Sequence, residues 1–158
     1  MENNIENDVE IIGDEKQYVI FTLEKEDYGL EITKIKTIEN LLPITRVPKT
    51  PLYLEGVFNL RGDIIPVIDL RKRFELPEVE KTEDTRIIIS TINEITVGFI
   101  VDLVEEVIHI RDENLDSNNF TSHEIKRTYI QSIAKYNNKI ITILNLDKLI
   151  SITEEDLA

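Results

Sequence analysis

The tripeptide Arg61-Gly62-Asp63 lies between two apolar runs and is a stretch whose residue types could serve a specific chemistry. It has the composition of a short adhesion motif, but a three-residue match arises easily by chance. The N-terminal region also shows no secretion signal of the kind that adhesion would need. A glycine here is typical of a tight turn. Because a turn does not call for a long cation, Arg61 is a candidate binding residue.

The segment TSHEIKRT, Thr121 to Thr128, suggests a second chemistry, the acceptance of a phosphoryl group by His123. It resembles the phospho-accepting box of sensor histidine kinases, which works on a long helix beside a nucleotide-binding domain with glycine-rich loops. This chain has five glycines and no G-x-G run, and strand patterns surround the segment. We therefore expect a solvated loop or a short helix at this place.

Other catalytic and metal-binding arrangements find little support in the sequence. His109 is a lone imidazole near the end of a predicted strand, and we interpret it as a partly exposed strand residue. With two histidines and no cysteine, neither a zinc site nor a nucleophilic triad can be assembled. Paired carboxylates could still do acid–base chemistry, although nothing points to a particular pair. The sequence predicts a protein that is not an enzyme and that has no metal and no cofactor.

The net charge of -13 and the pI near 4.6 restrict the possible partners. Such a surface repels phosphate backbones and anionic lipids, so we expect no nucleic acid and no direct membrane insertion. No apolar stretch approaches the roughly 20 residues of a membrane span, and the absence of cysteine fits a reducing compartment. We expect a cytoplasmic protein with a disordered acidic tail at residues 1–16 and an acidic end at residues 153–158.

Two parts of the chain share one strand pattern. Gln17 to Leu23 and Tyr28 to Ile32 predict a β-hairpin, and Arg86 to Ile92 with Ile95 to Val101 predict another. After the first hairpin, apolar residues recur every third position, which suggests a brief helical or irregular segment. The matched positions are Gly29, Ile32, Ile35 and Ile38 in the first copy, and Gly98, Val101, Val104 and Val107 in the second. The chain therefore uses one unit twice.

The second half of this unit is repeated as well. The stretch DIIPVIDLRKRF, which begins at Asp63, aligns with KIITILNLDKLI, which begins at Lys139. In this register Arg61-Gly62 falls on Asn137-Asn138, and both Gly and Asn tolerate the left-handed backbone of a tight hairpin. Asp69 falls on Asn145, which favours a shared role in satisfying backbone donors at the end of a strand.

Two copies of one β unit predict two small barrels side by side, because a single small sheet leaves costly edges. The polar connection LPEVEKTED is a plausible boundary, which gives subdomains at about residues 17–80 and 81–152. This division allows strands to cross over between the two subdomains. Short helical turns are predicted after each long strand, at Arg71 to Phe74 and at Asp147 to Ile150.

Four stretches resemble the chemotaxis coupling proteins, the CheW family: YVIFTLEKEDYGLEI, GVFNLRGDIIPVIDLRKRF, VGFIVD and ITILNLDKLI. They occur in order from about Gln17 to Ile150, which is nearly all of the predicted structured part. The resemblance implies a mainly β fold of two five-stranded SH3-like barrels, packed side by side through a shared core, with few short helices. This architecture agrees with the internal repeat.

The function that the resemblance implies is a stand-alone, non-enzymatic chemotaxis adaptor. Members of the family bridge the cytoplasmic tips of chemoreceptors and the regulatory domain of the histidine kinase CheA, in membrane-associated arrays. The kinase surfaces are expected at barrel ends on both subdomains. The family's receptor-binding positions fall on Ile35, Gly56, Asn59, Leu60, Arg61, Gly62 and Ile87. For Ile35 and Ile87, core packing explains the residue as well as receptor binding does. For Gly56, a bend before the strand is an equally good explanation.

Three other interpretations remain open at this point. A CheW-like adaptor of a non-chemotactic array, such as one for surface motility, would share these features. An enzyme with a barrel-mouth pocket would bring titratable groups together, and a general SH3-like peptide binder would need an aromatic-lined groove, for which 6% aromatic residues are few. The chain departs from the family pattern at Ser132, where a glycine is usual, and over Ser117 to Thr128.

Overall fold

Eleven β-strands run through the part of the chain that the computed structural model describes, residues 15–117 and 127–150. A short helix α1 (Leu70–Arg73) follows the fifth strand, and residues 146–150 form a helical turn after the last. The 3-10 turns are Ile32–Lys34, Asp112–Asn114 and Arg127–Tyr129. The strands are β1 (Glu15–Leu23), β2 (Glu26–Glu31), β3 (Ile35–Asn40), β4 (Leu54–Leu60), β5 (Asp63–Asp69), β6 (Arg86–Ile92), β7 (Ile95–Val101), β8 (Leu103–Arg111), β9 (Leu115–Asp116), β10 (Ile130–Tyr136) and β11 (Lys139–Leu144).

The strands form two sheets. The sheet with the order β8-β1-β2-β11-β10-β9 is called the terminal barrel, because its strands come from both ends of the described chain. The sheet with the order β3-β6-β7-β5-β4 is called the central barrel, and a bridge between Thr45 and Val57 brings the chain beyond β3 back to β4. The predicted mainly β, two-barrel fold is confirmed, and the one additional strand, β9, is two residues long.

Each barrel takes strands from both copies of the sequence repeat. The first copy supplies β1 and β2 to the terminal barrel and β3 to β5 to the central barrel, and the second copy does the reverse with β6 to β11. The barrels therefore do not follow the ranges 17–80 and 81–152, because the chain changes barrel after β2 and again after β7. Glu15 and Lys16 of the predicted tail belong to β1, whereas residues 1–14 and 153–158 lie outside the described residues.

Two parallel strand pairs join the copies, and each contains a glycine. β5 runs parallel to β7 with Val67 opposite Gly98, and β11 runs parallel to β2 with Ile143 opposite Gly29. A Cβ atom on Gly98 would lie 2.8 Å from Cγ2 of Ile87, and one on Gly29 would lie 2.8 Å from Cδ1 of Ile143. A side chain at either position would displace a core isoleucine, so the glycines allow the barrel interiors to close here.

Apolar side chains form three clusters, one inside each barrel and a larger one between the barrels. β6 shows how one strand serves two of them: Ile87 and Ile89 lie inside the central barrel, and Ile88 lies in the shared cluster. The terminal barrel encloses Tyr18, Ile20, Ile108, Ile110, Ala134, Ile141 and Ile143. The central barrel encloses Phe58, Ile65, Val67, Ile87, Ile89 and Ile100. The shared cluster includes Phe21, Tyr28, Ile68, Phe99 and Leu144.

The hairpin turns repeat between the two copies. Arg61 and Gly62 have φ values of 54° and 95°, and the aligned Asn137 and Asn138 have 47° and 63°. Two successive left-handed residues are typical of a type I′ turn, whose twist matches that of the flanking strands.

The segment after β2 is less helical than its apolar spacing suggested. Its 3-10 turn spans only Ile32–Lys34, and β3 begins at the next residue.

Arg71, in α1, connects the two barrels. Its guanidinium donates to both carboxylate oxygens of Asp102, at 2.8 and 2.6 Å, and to Oε2 of Glu24 at 3.1 Å. Asp102 lies where the chain crosses from β7 to β8, and Glu24 lies in the turn between β1 and β2. The hydrogen bonds to Asp102 raise the pKa of Arg71, although burial opposes the rise. The charged guanidinium therefore joins the central barrel's helix to the terminal barrel's first hairpin.

Arg73 lies between two tyrosines that occupy aligned positions in the two copies. Its Cζ atom is 4.4 Å from the ring centroid of Tyr53 and 5.0 Å from that of Tyr129. The backbone also repeats here, because the N–H of Asp69 donates to the Tyr53 carbonyl and the N–H of Asn145 donates to the Tyr129 carbonyl, both at 2.8 Å. The two copies thus meet at one cation. Each cation–π contact of this kind contributes about 0.5–2 kcal/mol to the stability of the fold.

Replacing Arg71 with methionine should lower the free energy of unfolding by about 2–4 kcal/mol, because Asp102 and Glu24 would lose a largely buried partner. Lys72→Met is the matched control, since Lys72 lies in the same helix and its partly exposed pair with Glu55 of β4, at 3.1 Å, should contribute about 1 kcal/mol or less. Urea unfolding followed by circular dichroism measures both variants. Equal losses in the two variants would contradict a special role for Arg71.

Candidate functional site

The seven predicted site residues all belong to the central barrel. Ile35 begins β3, Ile87 lies in β6, and the other five lie in β4 or in the turn that follows it. These five are Gly56, Asn59, Leu60, Arg61 and Gly62. The structure therefore places all of them on one of the two barrels, although it separates them by depth and by position along the strands.

Strand register places most of these residues at one end of the central barrel. β5 runs parallel to β7, so the turn Arg61-Gly62 before β5 lies at the same end as the turn Asn93-Glu94 before β7. Ile35 pairs with Ser90, close to the end of β6 that enters the second of these turns. We call this region, with the two turns and the start of β3, the hairpin end of the central barrel.

Arg61 is exposed at the hairpin end and its backbone is fixed by its neighbours. The carboxamide oxygen of Asn59 accepts a hydrogen bond from the N–H of Gly62 at 2.8 Å, which closes the turn around Arg61. Leu60 is half-buried and packs against the interior cluster of the barrel. Asn59 and Gly62 thus hold the turn, while the guanidinium of Arg61 extends into solvent and can contact a partner.

Ile35 is half-buried and packs against the shared cluster between the barrels. A cavity of about 330 Å³ lies beside it. Its wall is formed by the 3-10 turn, the start of β3 and the hairpin of β6 and β7. The lining residues are Thr33, Lys34, Ile35, Lys36, Thr91 and Thr96. Ile35 therefore contributes to the core and to an open surface at the same time.

Ile87 is fully buried inside the central barrel, and its Cγ2 atom faces Gly98. It pairs with Ile100 of β7 and Glu39 of β3, several residues away from the turns of the hairpin end. Its side chain has no surface to offer a partner. A substitution of Ile87 would act on the packing of the barrel.

Gly56 is required by the closure of the central barrel. Its φ is 149°, and a Cβ atom would lie 2.2 Å from the carbonyl oxygen of Thr45. Thr45 and Val57 exchange backbone hydrogen bonds of 2.8 and 2.9 Å beside it. The glycine therefore allows the chain beyond β3 to approach β4 closely, which is a larger constraint than the bend considered from the sequence.

Two exposed isoleucines were not identified from the sequence. Ile64 in β5 and Ile140 in β11 occupy aligned positions in the two copies, each two residues after its hairpin turn, and their exposures are 64% and 62%. Each is followed directly by a buried isoleucine, Ile65 or Ile141. Since successive strand residues face opposite sides, the adjacent isoleucines in each copy were the signal that one of them faces out.

The remaining candidate groups were His109, His123 and the aligned pair Asp69 and Asn145. His109 is exposed in β8 with Nδ1 2.9 Å from Oε1 of Glu15, and His123 lies outside the described residues. Asp69 accepts a hydrogen bond from the N–H of Arg71, and Asn145 accepts one from the N–H of Lys148, so the predicted capping role is confirmed in both copies. Burial raises the pKa of Asp69, against the attraction of nearby lysines.

Two further features are absent from residues 15–117 and 127–150. Nowhere in this part of the chain do three or more His, Asp or Glu side chains come together in a group that could hold a metal ion. No helix in the same residues has both the length and the apolar character needed to span a membrane.

Comparisons with known proteins give one consistent answer. The CheW-like domain family matches residues 17–154. The chain is 38% identical to the chemotaxis protein CheW of Bacillus subtilis, over 85% of this chain and 86% of that protein. It is 36% identical to CheW of Helicobacter pylori, over 85% and 81%. The crystal structure of the scaffolding protein TtCheW from Thermoanaerobacter tengcongensis is similar with a TM-score of 0.78 and 41% identity, over 83% and 84% of the two chains.

Gly56→Ala should destabilise the protein by about 3 kcal/mol, because the new methyl group would meet a backbone oxygen and the φ value is unfavourable for an L residue. Gly62→Ala is the control, since its φ of 95° is also left-handed but nothing lies within 4 Å of the added Cβ atom. The control substitution should lower the free energy of unfolding by about 1 kcal/mol. Thermal unfolding of both variants checks this, and a Gly56 variant as stable as the control would contradict the closure argument.

Proposed function

The chain belongs to the CheW family and is a chemotaxis adaptor, and we propose that it couples the cytoplasmic tips of chemoreceptors to the regulatory domain of the histidine kinase CheA. In this role it supports the assembly of receptor arrays and the control of kinase activity by the receptor. The relatives are named as chemotaxis proteins, which favours this pathway over the array for surface motility considered from the sequence.

The hairpin end of the central barrel is the observation that supports the receptor half of the proposal. Arg61 stands there on a rigid turn, with Leu60 and the exposed Ile64 beside it and Ile35 across the barrel end. A receptor helix would lay an apolar stripe against these side chains, while the guanidinium meets a carboxylate or a carbonyl at the rim.

The predicted receptor-binding residues have three different tasks in this proposal. Ile35, Leu60 and Arg61 contact the receptor. Asn59 and Gly62 set the direction of Arg61 by closing its turn. Gly56 and Ile87 act indirectly, because both are buried and hold the barrel in the shape that presents the other five.

The kinase half of the proposal uses the terminal barrel. The aligned isoleucine of this barrel, Ile140, is exposed beside the Asn137-Asn138 turn, and Val107 of β8 is also exposed. Exposed apolar side chains next to a rigid turn are suitable for docking against the end of another small barrel. We expect this surface to contact the CheA regulatory domain. A further kinase surface on the central barrel is also part of the proposal.

The adaptor acts by binding, and we propose that it catalyses no reaction and needs no cofactor. This proposal rests on the relatives, one of which is described as a scaffolding protein. We propose that it acts in the cytoplasm, where it is recruited to membrane-associated receptor arrays, because both proposed partners present cytoplasmic surfaces there. The net charge of -13 supports protein partners over nucleic acid.

Arg61→Ala should weaken binding to a soluble chemoreceptor cytoplasmic fragment by about 2 kcal/mol, which is roughly 30-fold in Kd, and should leave binding to the CheA regulatory domain unchanged. Ile140→Asp is the reciprocal variant, because its site lies on the other barrel. It should lose kinase binding and keep receptor binding. Titration calorimetry with each partner measures all four combinations.

The fold of both variants is checked by their melting temperatures, which should stay close to that of the wild type because both side chains are exposed. If Arg61→Ala lost both partners and melted earlier, Arg61 would be a structural residue and the receptor assignment would be wrong. If Ile140→Asp kept both partners, the kinase surface would have to lie elsewhere.

A further inference from the structure

Positive charge is concentrated in one part of this acidic protein. Between Ile32 and Arg73 the sequence contains eight Lys or Arg and four Asp or Glu, although the whole chain has 18 against 31. This segment runs from the 3-10 turn through β3, β4 and β5 to the end of α1, so it belongs to the central barrel. The remaining chain carries the entire acidic excess.

Three of these cations lie at the hairpin end and have no ion-pair partner among the described residues. They are Lys34, Lys36 and Arg61. Of the five other cations in the segment, Arg71 binds Asp102, Lys72 binds Glu55 and Arg73 contacts two tyrosine rings, whereas Arg46 and Lys49 lie away from the hairpin end. Unpaired cations on a protein of net charge -13 are available to a partner.

The cavity beside Ile35 has the donors that a carboxylate requires. Lys34 and Lys36 contribute two ammonium groups, and Thr33 contributes a hydroxyl. The hydroxyls of Thr91 and Thr96 are 2.8 Å apart and bond to each other, which leaves one of their two protons for a further acceptor. No carboxylate lines the cavity, and Ile35 supplies its apolar wall.

The aligned position of the terminal barrel has the opposite charge. Lys36 in β3 aligns with Glu105 in β8, which lies next to Glu106 and close to Asp27. Burial and the neighbouring Asp27 carboxylate raise the pKa of Glu105, as expected where acidic groups are crowded. The basic cavity is therefore a property of one barrel end and not of the repeated unit.

We propose that this cavity binds the side-chain carboxylate of an Asp or Glu on the chemoreceptor's cytoplasmic helix, next to the apolar stripe that packs on Ile35. The inference rests on the proposed receptor function and makes it more specific. The receptor is the proposed source of the carboxylate because the cavity adjoins the surface where the receptor is proposed to dock. The lysines would add salt-dependent attraction to a contact that is otherwise apolar.

The test measures the affinity of the full chain for a fluorescently labelled receptor cytoplasmic fragment by anisotropy, at about 50 and about 300 mM salt. The variant Lys34→Glu/Lys36→Glu should bind at least about tenfold more weakly at low salt, since two favourable pairs become repulsive. The control Lys16→Glu/Lys135→Glu changes the net charge equally at exposed positions of the terminal barrel, and should change the affinity by less than about twofold. Lys34→Gln/Lys36→Gln should fall between the wild type and the reversal.

The outcomes separate this inference from the proposed function. If the wild type bound no receptor fragment, the proposed function itself would fail. If the wild type bound, Arg61→Ala lost affinity and the cavity variant bound like the control, the function would stand and the inference would be wrong.

A second copy of this chain could also supply the carboxylate. Sedimentation velocity of the protein alone at low salt tests this, because it measures whether the protein self-associates. A monomer supports the receptor assignment. Self-association that is abolished by Lys34→Glu/Lys36→Glu would assign the cavity to the acidic end of a second copy and overturn the proposal.

Discussion

The two parallel strand pairs, β5 with β7 and β11 with β2, are the contacts on which the rest of the structure depends. Each pair joins strands from different copies of the sequence repeat, so neither copy can complete a barrel from its own strands. Gly98 and Gly29 allow these pairs to lie against the barrel interiors. Arg71 and Arg73 then connect the two barrels at their junction, through carboxylates and through the aligned tyrosines.

This exchange of strands determines the composition of the two barrel ends at which we propose that the partners bind. The hairpin end of the central barrel combines β3 and the Arg61 turn from the first copy with the β6–β7 hairpin from the second. The aligned end of the terminal barrel has the same turns and the same exposed isoleucine, but it carries Glu105 and Asn137 where the central barrel has Lys36 and Arg61. One repeated unit thus gives two similar ends with different surface chemistry, which suits a protein that holds two different partners.

The sequence predicted the repeat, the hairpins and the capping residues because these depend on local pattern, such as two left-handed residues at Arg61-Gly62 and Asn137-Asn138. It could not assign strands to barrels, since the apolar pattern of β3 is satisfied equally by either partner sheet. Ile35 and Ile87 could not be separated for a related reason. β6 is buried on both faces and reads as a continuous apolar run, so only the structure shows that its Ile87 is interior, while Ile35 at the start of β3 reaches a surface.

The central claim is that this chain couples a chemoreceptor to CheA, and the kinase half is the more direct to measure. The experiment is titration calorimetry of the full chain into the isolated CheA regulatory domain from the same organism. The account predicts saturable one-to-one binding with a Kd of about a micromolar or below, equivalent to about -8 kcal/mol. A folded protein that gives no binding heat at two temperatures, and no complex by gel filtration at the same concentrations, would contradict it.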